Sequence, residues 1–580
     1  MNSLSSNYTL LCRRLPEERT FGTLVAKAFN IPEPIGELLY SRGIRTLDQA
    51  QEYFFPQLAM LPSPNSMKGM AEAVDCIMTV CAQRQPIFIH GDYDVDGISA
   101  TALLVTFFRE IDRTPFYYIP NRLEESYGLS FKSIDRLLAQ CPGQGGLLIS
   151  VDCGISAVQE VEYARQQGLR VVITDHHEPQ EKMPLADAIL NPKQPGCSFP
   201  CSSLSGVGVA FFLLIALRKA MRLSLNLKKY LDFVALGTVA DVVPLQGINR
   251  ILVRAGLEVL SARHRLGVHA LWNCCAPDSR EVLSEDISYR LAPRINAAGR
   301  LGNPLVGVEL LLADTAATAQ AIADRLELMN QARKQLELSA LAALQHDCQE
   351  QLQALRHGII LYQADCHAGV LGILASRFVE RCRRPVIIFS NDTKNEKSVN
   401  LRGSGRSVPG INLFQVVEEC ASMLEQFGGH AMAVGLTLRK EKLPQFSEAF
   451  NEKIKQKIQL LDSKHYLTID YYLTNTNLLS ASFAHALQRM QPFGEGNHEP
   501  ILFLAQQHLL AARARNGHLM FQLQGAGELL PGIGFNLAAG DLTSCPQPAD
   551  LIFHLKRSWF RGNERIQIHA LAITTPQFNE

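Results

Sequence analysis

The stretch PIFIHGDYDVDG, residues 86–97, joins an apolar run to three aspartates placed at every second position. Four apolar residues followed by His90 and Gly91 read as a buried strand that ends in a turn. Asp92, Asp94 and Asp96 then crowd three carboxylates together. That crowding costs desolvation and mutual repulsion unless positive charge sits among them. Three more apolar runs of strand length follow, GLLISV (146–151), LRVVIT (169–174) and ADAIL (186–190), with helical segments between them. Near-continuous apolar strands alternating with helices predict a mostly parallel α/β sheet. The strand ends carry further polar groups. VDCG puts Asp152 after the second run, TDHHEP puts Asp175, His176 and His177 after the third, and the helical FVALGTVADVVPL adds Asp241. In open parallel sheets the C-terminal ends of the strands are where ligands bind.

Converging carboxylates and imidazoles suit a hard cation, and imidazole in the set favours manganese. More than four candidate ligands point to two ions sharing one carboxylate. Two ions roughly 3.5–4 Å apart clamp the attacking and leaving oxygens of a phosphoryl displacement. DYDVDG also imitates the start of a calcium-binding EF-hand loop, but Leu103 stands where that loop needs its glutamate, and a strand rather than a helix precedes it. A solvated turn accounts for one acid after a strand, not for three strand ends plus Asp241. Adjacent histidines often cap a helix or satisfy a core bond; the acids clustered around them favour function.

A chain of 580 residues exceeds one core and predicts three or four domains. With 56 basic and 56 acidic residues, a uniformly basic nucleic-acid binder is excluded, whereas local basic patches are not. The longest apolar run, VGVAFFLLIAL (207–217), is too short to span a bilayer and reads as a buried core helix. The N-terminal stretch has no hydrophobic segment with a small-residue cleavage site. Fourteen scattered cysteines without a CxxC pair suggest a reducing, cytoplasmic compartment. CSFPC (Cys197, Cys201) lacks the second ligand pair that a zinc site requires.

The pattern along the chain predicts an N-terminal helical segment (1–65), a first α/β domain (66–260) and a helical linker (261–350), whose Gly- and Pro-free residues 315–357 form a long helix, or two stacked end to end. A second α/β domain (351–457) and a small β-barrel domain (458–580) follow, the latter ending in a hairpin around Arg561, Gly562 and Asn563.

HGDYDVDG, VDCG, TDHH and GTVAD, in this order, resemble the four motifs of the DHH phosphoesterase superfamily. YYIPNRLEESYGL, APRINAAGRLG, HAGVLGILASR, RGSGRSVPGINL, FGGHAMAVG and PFGEGNHEPI narrow the resemblance to the superfamily's bacterial exonucleases specific for single-stranded DNA. It runs from about residue 40 to the terminal hairpin. The resemblance implies an α/β multidomain protein: a parallel-sheet DHH domain, a long linking helix, a second α/β domain of DHHA1 type and a C-terminal OB-like β-barrel. It implies two ions, Mn2+ or Mg2+, with His90 and Asp94 on one, Asp96, His176 and Asp241 on the other, and Asp152 bridging. His177 would sit beside the scissile phosphate as a hydrogen-bond or proton donor. Asp92 would orient His90 and Asp175 would play a similar part, so Asp92→Asn is expected to be milder than Asp94→Asn or Asp96→Asn.

Substrate contacts are expected from Asn121, Arg122 and Tyr127, from Arg294, Asn296 and Arg300, and from His367, Arg402, Ser404, Arg406, Ser407 and His430. Guanidinium forks match phosphate geometry, and the glycines of RGSGRS would expose backbone N–H groups to an anion. In the terminal hairpin LKRSWFRGNER, Trp559 and Phe560 among Lys556, Arg557, Arg561 and Arg565 suit base stacking beside a basic track. Two positions depart from the resemblance: Cys366 in place of a tryptophan and Ser126 in place of a glycine. The implied activity is 5′-to-3′ hydrolysis of single-stranded DNA to 5′-mononucleotides in recombination and repair. The implied setting is a cytoplasmic monomer supplied by a single-strand-binding protein and a helicase.

Overall fold

The structure, a computed structural model, describes residues 8–11, 16–121, 125, 128–141, 145–276, 281–392, 399–458, 465–537, 547–560 and 563–574. A short strand β1 (Tyr8–Leu11) opens the described chain. The first α/β sheet comprises β2 (Ile87–His90), β3 (Phe116–Tyr118), β4 (Gly146–Val151), β5 (Leu169–Thr174) and β6 (Ala188–Leu190), all parallel, in the order β3-β2-β4-β5-β6. Every residue of β2 and β4 is buried, as their unbroken apolar runs require. Strand β3 was not among the expected strands. Its three residues FYY are half-buried at the sheet edge and too short to show a period. The chain turns one way from β2 to β3 and the other way from β2 to β4, so the topological switch lies between the strands that end in HGDYDVDG and VDCG.

Residues 207–217 lie in the helix Gly206–Ala220, which Ser205 caps by accepting from the Gly208 N–H at 3.2 Å. Val207, Phe212 and Leu213 pack with Leu103, Phe107 and Trp272 in the largest core. Among the described residues, no helix is long and apolar enough to cross a membrane.

Residues 316–353 form one helix of 38 residues, about 57 Å long at ~1.5 Å per residue. Its buried seam changes character along its length. Ala319, Ala323 and Leu326 join the first core, Ala340, Leu344 and Cys348 join that of the second α/β domain, and polar Asn330, Arg333 and Glu337 lie buried between. The helix is a rigid strut between two domains.

The second sheet contains β7 (Ile359–Tyr362), β8 (Val386–Asn391), β9 (Asn400–Arg406), β10 (Gln426–His430) and β11 (Ala433–Arg439), in the order β10-β11-β9-β8-β7. Only β7 and β8 are parallel; β9 pairs antiparallel with both β8 and β11.

Strand β12 (His465–Thr468) pairs in parallel with β1. The C-terminal sheet holds β13 (Tyr471–Leu473), β14 (Leu502–Gln507), β15 (Leu510–Arg515), β16 (His518–Gln524), β17 (Leu529–Gly534), β18 (Ala549–Phe560) and β19 (Asn563–Thr574). Its order is β13-β14-β18-β19-β17-β16-β15, and among the described residues the end strands do not pair, so the barrel is not closed. The N-terminal helices share this sheet's core: Phe21, Ile35, Leu38 and Phe54 pack with Phe483, Leu502 and Leu551. Arg42 donates to Asn497 Oδ1 at 2.7 Å, and Tyr53 Oη donates to the Met490 carbonyl at 3.0 Å.

Candidate active site

Three acids of the site, Asp94, Asp96 and Asp175, are held by the backbone of a helix or turn. Asp94 caps the helix Val95–Glu110, its Oδ1 accepting from the N–H groups of Asp96 (2.9 Å) and Gly97 (3.1 Å). Asp96 accepts from Gly206 N (2.6 Å) and Val207 N (2.9 Å), at the N-terminus of a second helix whose partial positive charge favours a carboxylate. Asp152 stands at a φ of +60° after β4. The neighbouring backbone leaves little room: a Cβ on Gly237 of GTVAD would lie 2.4 Å from Asp96 Oδ1, so only glycine fits there. Asp175 Oδ1 accepts from the N–H groups of His176 (2.7 Å) and His177 (3.0 Å), which locks the TDHH turn.

These groups converge. His176 Nε2 lies 3.0 Å from Asp152, 3.5 Å from Asp241 and 3.9 Å from Asp96. Three donor sets each have their ligand atoms within 4.8 Å of one another: Asp92, Asp94 and Asp152; Asp96, His176 and Asp241; and Asp152, His176 and His177. Asp152 belongs to the first and third of them, and His176 to the second and third.

The electrostatics call for a cation. Burial first, and neighbouring carboxylates second, push Asp96 and Asp152 well above the usual carboxylate range. The same causes raise Asp241 to about 7. Burial, helped by the charge of His177, lowers His176 to about 3, so its ring is neutral. That ring donates to the Leu204 carbonyl, which leaves Nε2 as a bare lone pair facing three carboxylates. Acceptors aimed at acceptors fit divalent metal ions. His177 is different. Burial pulls it down, but Asp175, 2.7 Å from its Nδ1, outweighs this and raises it to about 9. Its side chain is 43% exposed, so a protonated imidazole faces the open side of the cluster.

His90 lies apart from the three donor sets. Its side chain is fully buried at the end of β2, and both ring nitrogens are engaged. Nε2 is 3.0 Å from Ser133 Oγ, whose hydrogen goes to the Ser130 carbonyl (2.8 Å), so His90 is the donor there. Nδ1 faces the Cys153 thiol at 3.6 Å. His90 enters none of the three donor sets, whereas Asp92 enters one with Asp94 and Asp152. The physical reason is alternation: His90 is still strand and points into the sheet's flank, whereas Asp92 lies past the turn.

Several expected substrate contacts are otherwise occupied. Arg294 is buried, with Nε 2.5 Å from Glu327 and Nη1 2.7 Å from the Arg290 carbonyl. Ser407 is buried and donates to the Ile411 carbonyl at 2.7 Å. The RGSGR glycines expose no anion nest; they lie within β9, paired on both sides. A Cβ on Gly403 would lie 2.4 Å from the Phe389 ring, so the glycines make room for core side chains. On the opposite face of that strand, Arg402, Ser404 and Arg406 alternate, half-buried. His430 ends β10, exposed, and is lowered by partial burial and by the charges of His177, Arg406 and Lys193. The two sheets thus face one another there.

Asn296 and Arg300 line a cavity at the domain junction, where Arg300 Nη1 reaches the Gly369 carbonyl at 3.3 Å. His367 Nδ1 accepts from Gly369 N at 3.1 Å in the adjoining turn. Asn121 is half-buried beyond β3, its carbonyl accepting from Glu125 N at 2.8 Å. Cys366 is buried in the second domain's core, so that departure concerns packing. In the terminal hairpin, Lys556 pairs with Glu285 (2.5 Å) and Glu499 (3.1 Å), and Arg557 pairs with Glu564, so the basic track is partly neutralised by the protein's own acids. Arg122, Ser126, Tyr127, Arg561 and the Trp559 side chain lie outside the described residues.

Sequence reading missed Lys193. It follows β6, pairs with Glu178 at 3.0 Å, and its charge is felt by His176, Asp241 and His430. The signal was available: NPK follows the last strand of the same sheet.

A parallel sheet with these acids and imidazoles at its switch point places the chain among DHH-family proteins. Residues 86–238 match the DHH family, N-terminal domain, residues 356–456 the DHHA1 domain and residues 469–571 the RecJ OB domain. The chain is 37% identical over 538 residues to the single-stranded-DNA-specific exonuclease RecJ of Haemophilus influenzae, covering 88% of this chain and 91% of that protein. It is 36% identical over 568 residues to the RecJ of Escherichia coli, covering 93% and 95%. The crystal structure of RecJ in complex with Mn2+ from Thermus thermophilus superposes with a TM-score of 0.82 at 28% identity, covering 99% of this chain and 80% of that one. The chain belongs to the RecJ family.

Proposed function

We propose that this chain is a 5′-to-3′ exonuclease that hydrolyses single-stranded DNA to 5′-mononucleotides in recombination and repair. The observation that carries this reading is the convergence of Asp92, Asp94, Asp96, Asp152, His176 and Asp241, with Asp152 common to two donor sets. Asp92, Asp94 and Asp152 would hold one divalent ion, Mn2+ or Mg2+, and Asp96, His176 and Asp241 the other, with Asp152, 3.0 Å from His176 Nε2, placed to reach both. Bound there, the pair offsets the repulsion of the carboxylates, activates water and stabilises charge on the leaving oxygen.

The chain's own groups do the rest. Asp175 fixes the His177 ring through Nδ1 and keeps it protonated, so its other nitrogen offers a proton or hydrogen bond to the scissile phosphate or its leaving 3′ oxygen. Arg402, Ser404 and Arg406 share one face of β9 and would grip the backbone of the strand, with His430 at the rim. Asn296, Arg300 and His367 would guide it at the domain junction, and Asn121 would meet it from the first domain. Family membership supports a single-strand-binding protein and a helicase as suppliers of substrate, and action in the cytoplasm as a monomer.

The test is digestion of a single strand labelled at either end, with Mn2+ or Mg2+ and without metal. Release of 5′-mononucleotides from the 5′ end only, on single strands and not on duplex, is expected. Release from the 3′ end, or turnover of dinucleotides alone, overturns the reading.

A further inference from the structure

Val242 follows Asp241 in the turn that ends the helix Leu231–Ala240, and its φ is +59°. A helix that stops in left-handed backbone usually places glycine there, because any Cβ is crowded and a β-branched one most of all. Among the described residues, the other non-glycine left-handed positions hold Asn, Asp, Arg, Leu, Gln or Ala; Val242 alone is β-branched. Packing does not offset the strain: Val242 is 64% exposed, whereas Val239, one turn earlier, is 6% exposed. The turn itself uses only the Val242 N–H, 3.3 Å from the Val239 carbonyl, which glycine would supply equally well.

The side chain lines a cavity of about 230 Å³ between the two α/β domains. Val242, Pro293 and Ile373 contribute apolar surface; Asn296, Arg300 and Arg333 contribute polar and cationic surface. The cationic wall is held from both sides. Arg333 is paired with Glu337 at 2.8 Å and Asn330 at 3.2 Å on the long helix, so the net positive charge of that wall comes from Arg300, which reaches the second domain at Gly369. The apolar wall begins one residue from Asp241, whose carboxylate is 3.5 Å from His176. A slot with one apolar and one guanidinium wall, lined by both chain neighbours of Asp241, matches a nucleoside with its phosphate: sugar or base on the first, phosphate on the second.

We propose that Val242 contacts the nucleoside next to the scissile bond and sets its position, the strained backbone being kept for the sake of that contact. The inference rests on the single-strand exonuclease reading above. Because an apolar contact reads no base edge, it serves every base alike.

The test uses the full-length protein with Val242→Gly, Val242→Asn and Val242→Leu. It measures melting temperature without metal, then KM and kcat on a 5′-phosphorylated oligothymidylate with Mn2+. V242G, freed from strain, should melt no lower than the wild type and up to about 3 °C higher. Its KM should rise about 5- to 10-fold while kcat changes less than about twofold. V242N, at ease in left-handed backbone but polar, should match V242G; V242L, apolar again, should recover most of the loss. An unchanged KM in V242G, a melting temperature several degrees lower, or a V242L no better than V242N overturns the proposal. Wild-type protein that leaves the oligothymidylate intact overturns the exonuclease reading and this one with it. Wild-type digestion alongside an unaltered V242G overturns only the Val242 contact.

Discussion

In the first α/β sheet the functional side chains leave from strand ends, whereas in the second they ride on the body of a strand. Asp92, Asp94, Asp152 and His176 all lie just past β2, β4 or β5, in turns and helix starts whose backbone N–H groups bind Asp94 and Asp175. Arg402, Ser404 and Arg406 alternate along β9, whose other face fills a core. The difference follows from the task. Acids that must share cations need fixed, buried positions, and a turn at a sheet edge gathers residues from separate strands into one small volume. Groups that hold a moving polyanion need reach and one shared face, which the period of a strand supplies.

The largest effects are expected on the acid side. Asp96→Ala or His176→Ala should lower hydrolysis on the order of 10³-fold or more while single-strand binding persists, read by product release and fluorescence anisotropy. Full activity in either variant would remove the metal assignment. A sharper cut lies within HGDYDVDG. Asp92→Asn should fall about as far as Asp94→Asn, on the order of 10²-fold, and His90→Asn should lose less, about 10-fold, because His90 acts only through its packing against Ser133 and Cys153. A larger loss in the His90 variant would restore it as a ligand.

On the basic side the effects are smaller and of another kind. Arg406→Ala should raise KM about 10-fold with kcat within about twofold, and flatten the salt dependence of binding. Ser407→Ala, by contrast, should leave KM alone and cost about 1 kcal/mol of stability, since its hydroxyl serves the Ile411 carbonyl.

The smallest effect concerns the metal-free protein. Asp241 is raised to about 7, so between an unfolded value of roughly 4 and that folded value the native state binds the extra proton. Stability therefore falls as pH rises through this window. Asp241→Asn should reduce the fall, to which Asp96 and Asp152 also contribute, and gain on the order of 1–2 kcal/mol at neutral pH without metal, while losing the stabilisation that added Mn2+ gives the wild type. Melting curves from pH 4 to 8, with and without Mn2+, decide it; a wild-type protein whose metal-free stability is flat across that range would refute it.

The legibility of the chain follows the same division. The acid half was readable because strand, turn and ligand are contiguous in sequence: an apolar run, a glycine and an acid suffice to place Asp152 or His176. The exchange of His90 for Asp92 was not readable, because which of two neighbours turns inward depends on where the strand stops and on Ser133 and Cys153, which approach from elsewhere. RGSGR read as a phosphate loop because glycine most often marks a turn; in the fold it clears space for the Phe389 ring in mid-sheet. Arg294 looked like a phosphate ligand until Glu327, thirty-three residues on, took its guanidinium.

By itself the sequence determined the parallel sheet, the long helix, the acids at the strand ends and the family they belong to, because hydrophobic period and short motifs are local and survive without three-dimensional context. Only the tertiary structure decided which acids and imidazoles converge, that the N-terminal helices complete the core of the C-terminal sheet, which arginines are spent on internal ion pairs and that the strained Val242 lines the cavity between the domains. Each of these depends on contacts between residues far apart in the chain. Such contacts are fixed by packing and charge pairing once the domains have closed on one another, and no periodicity in the chain encodes them.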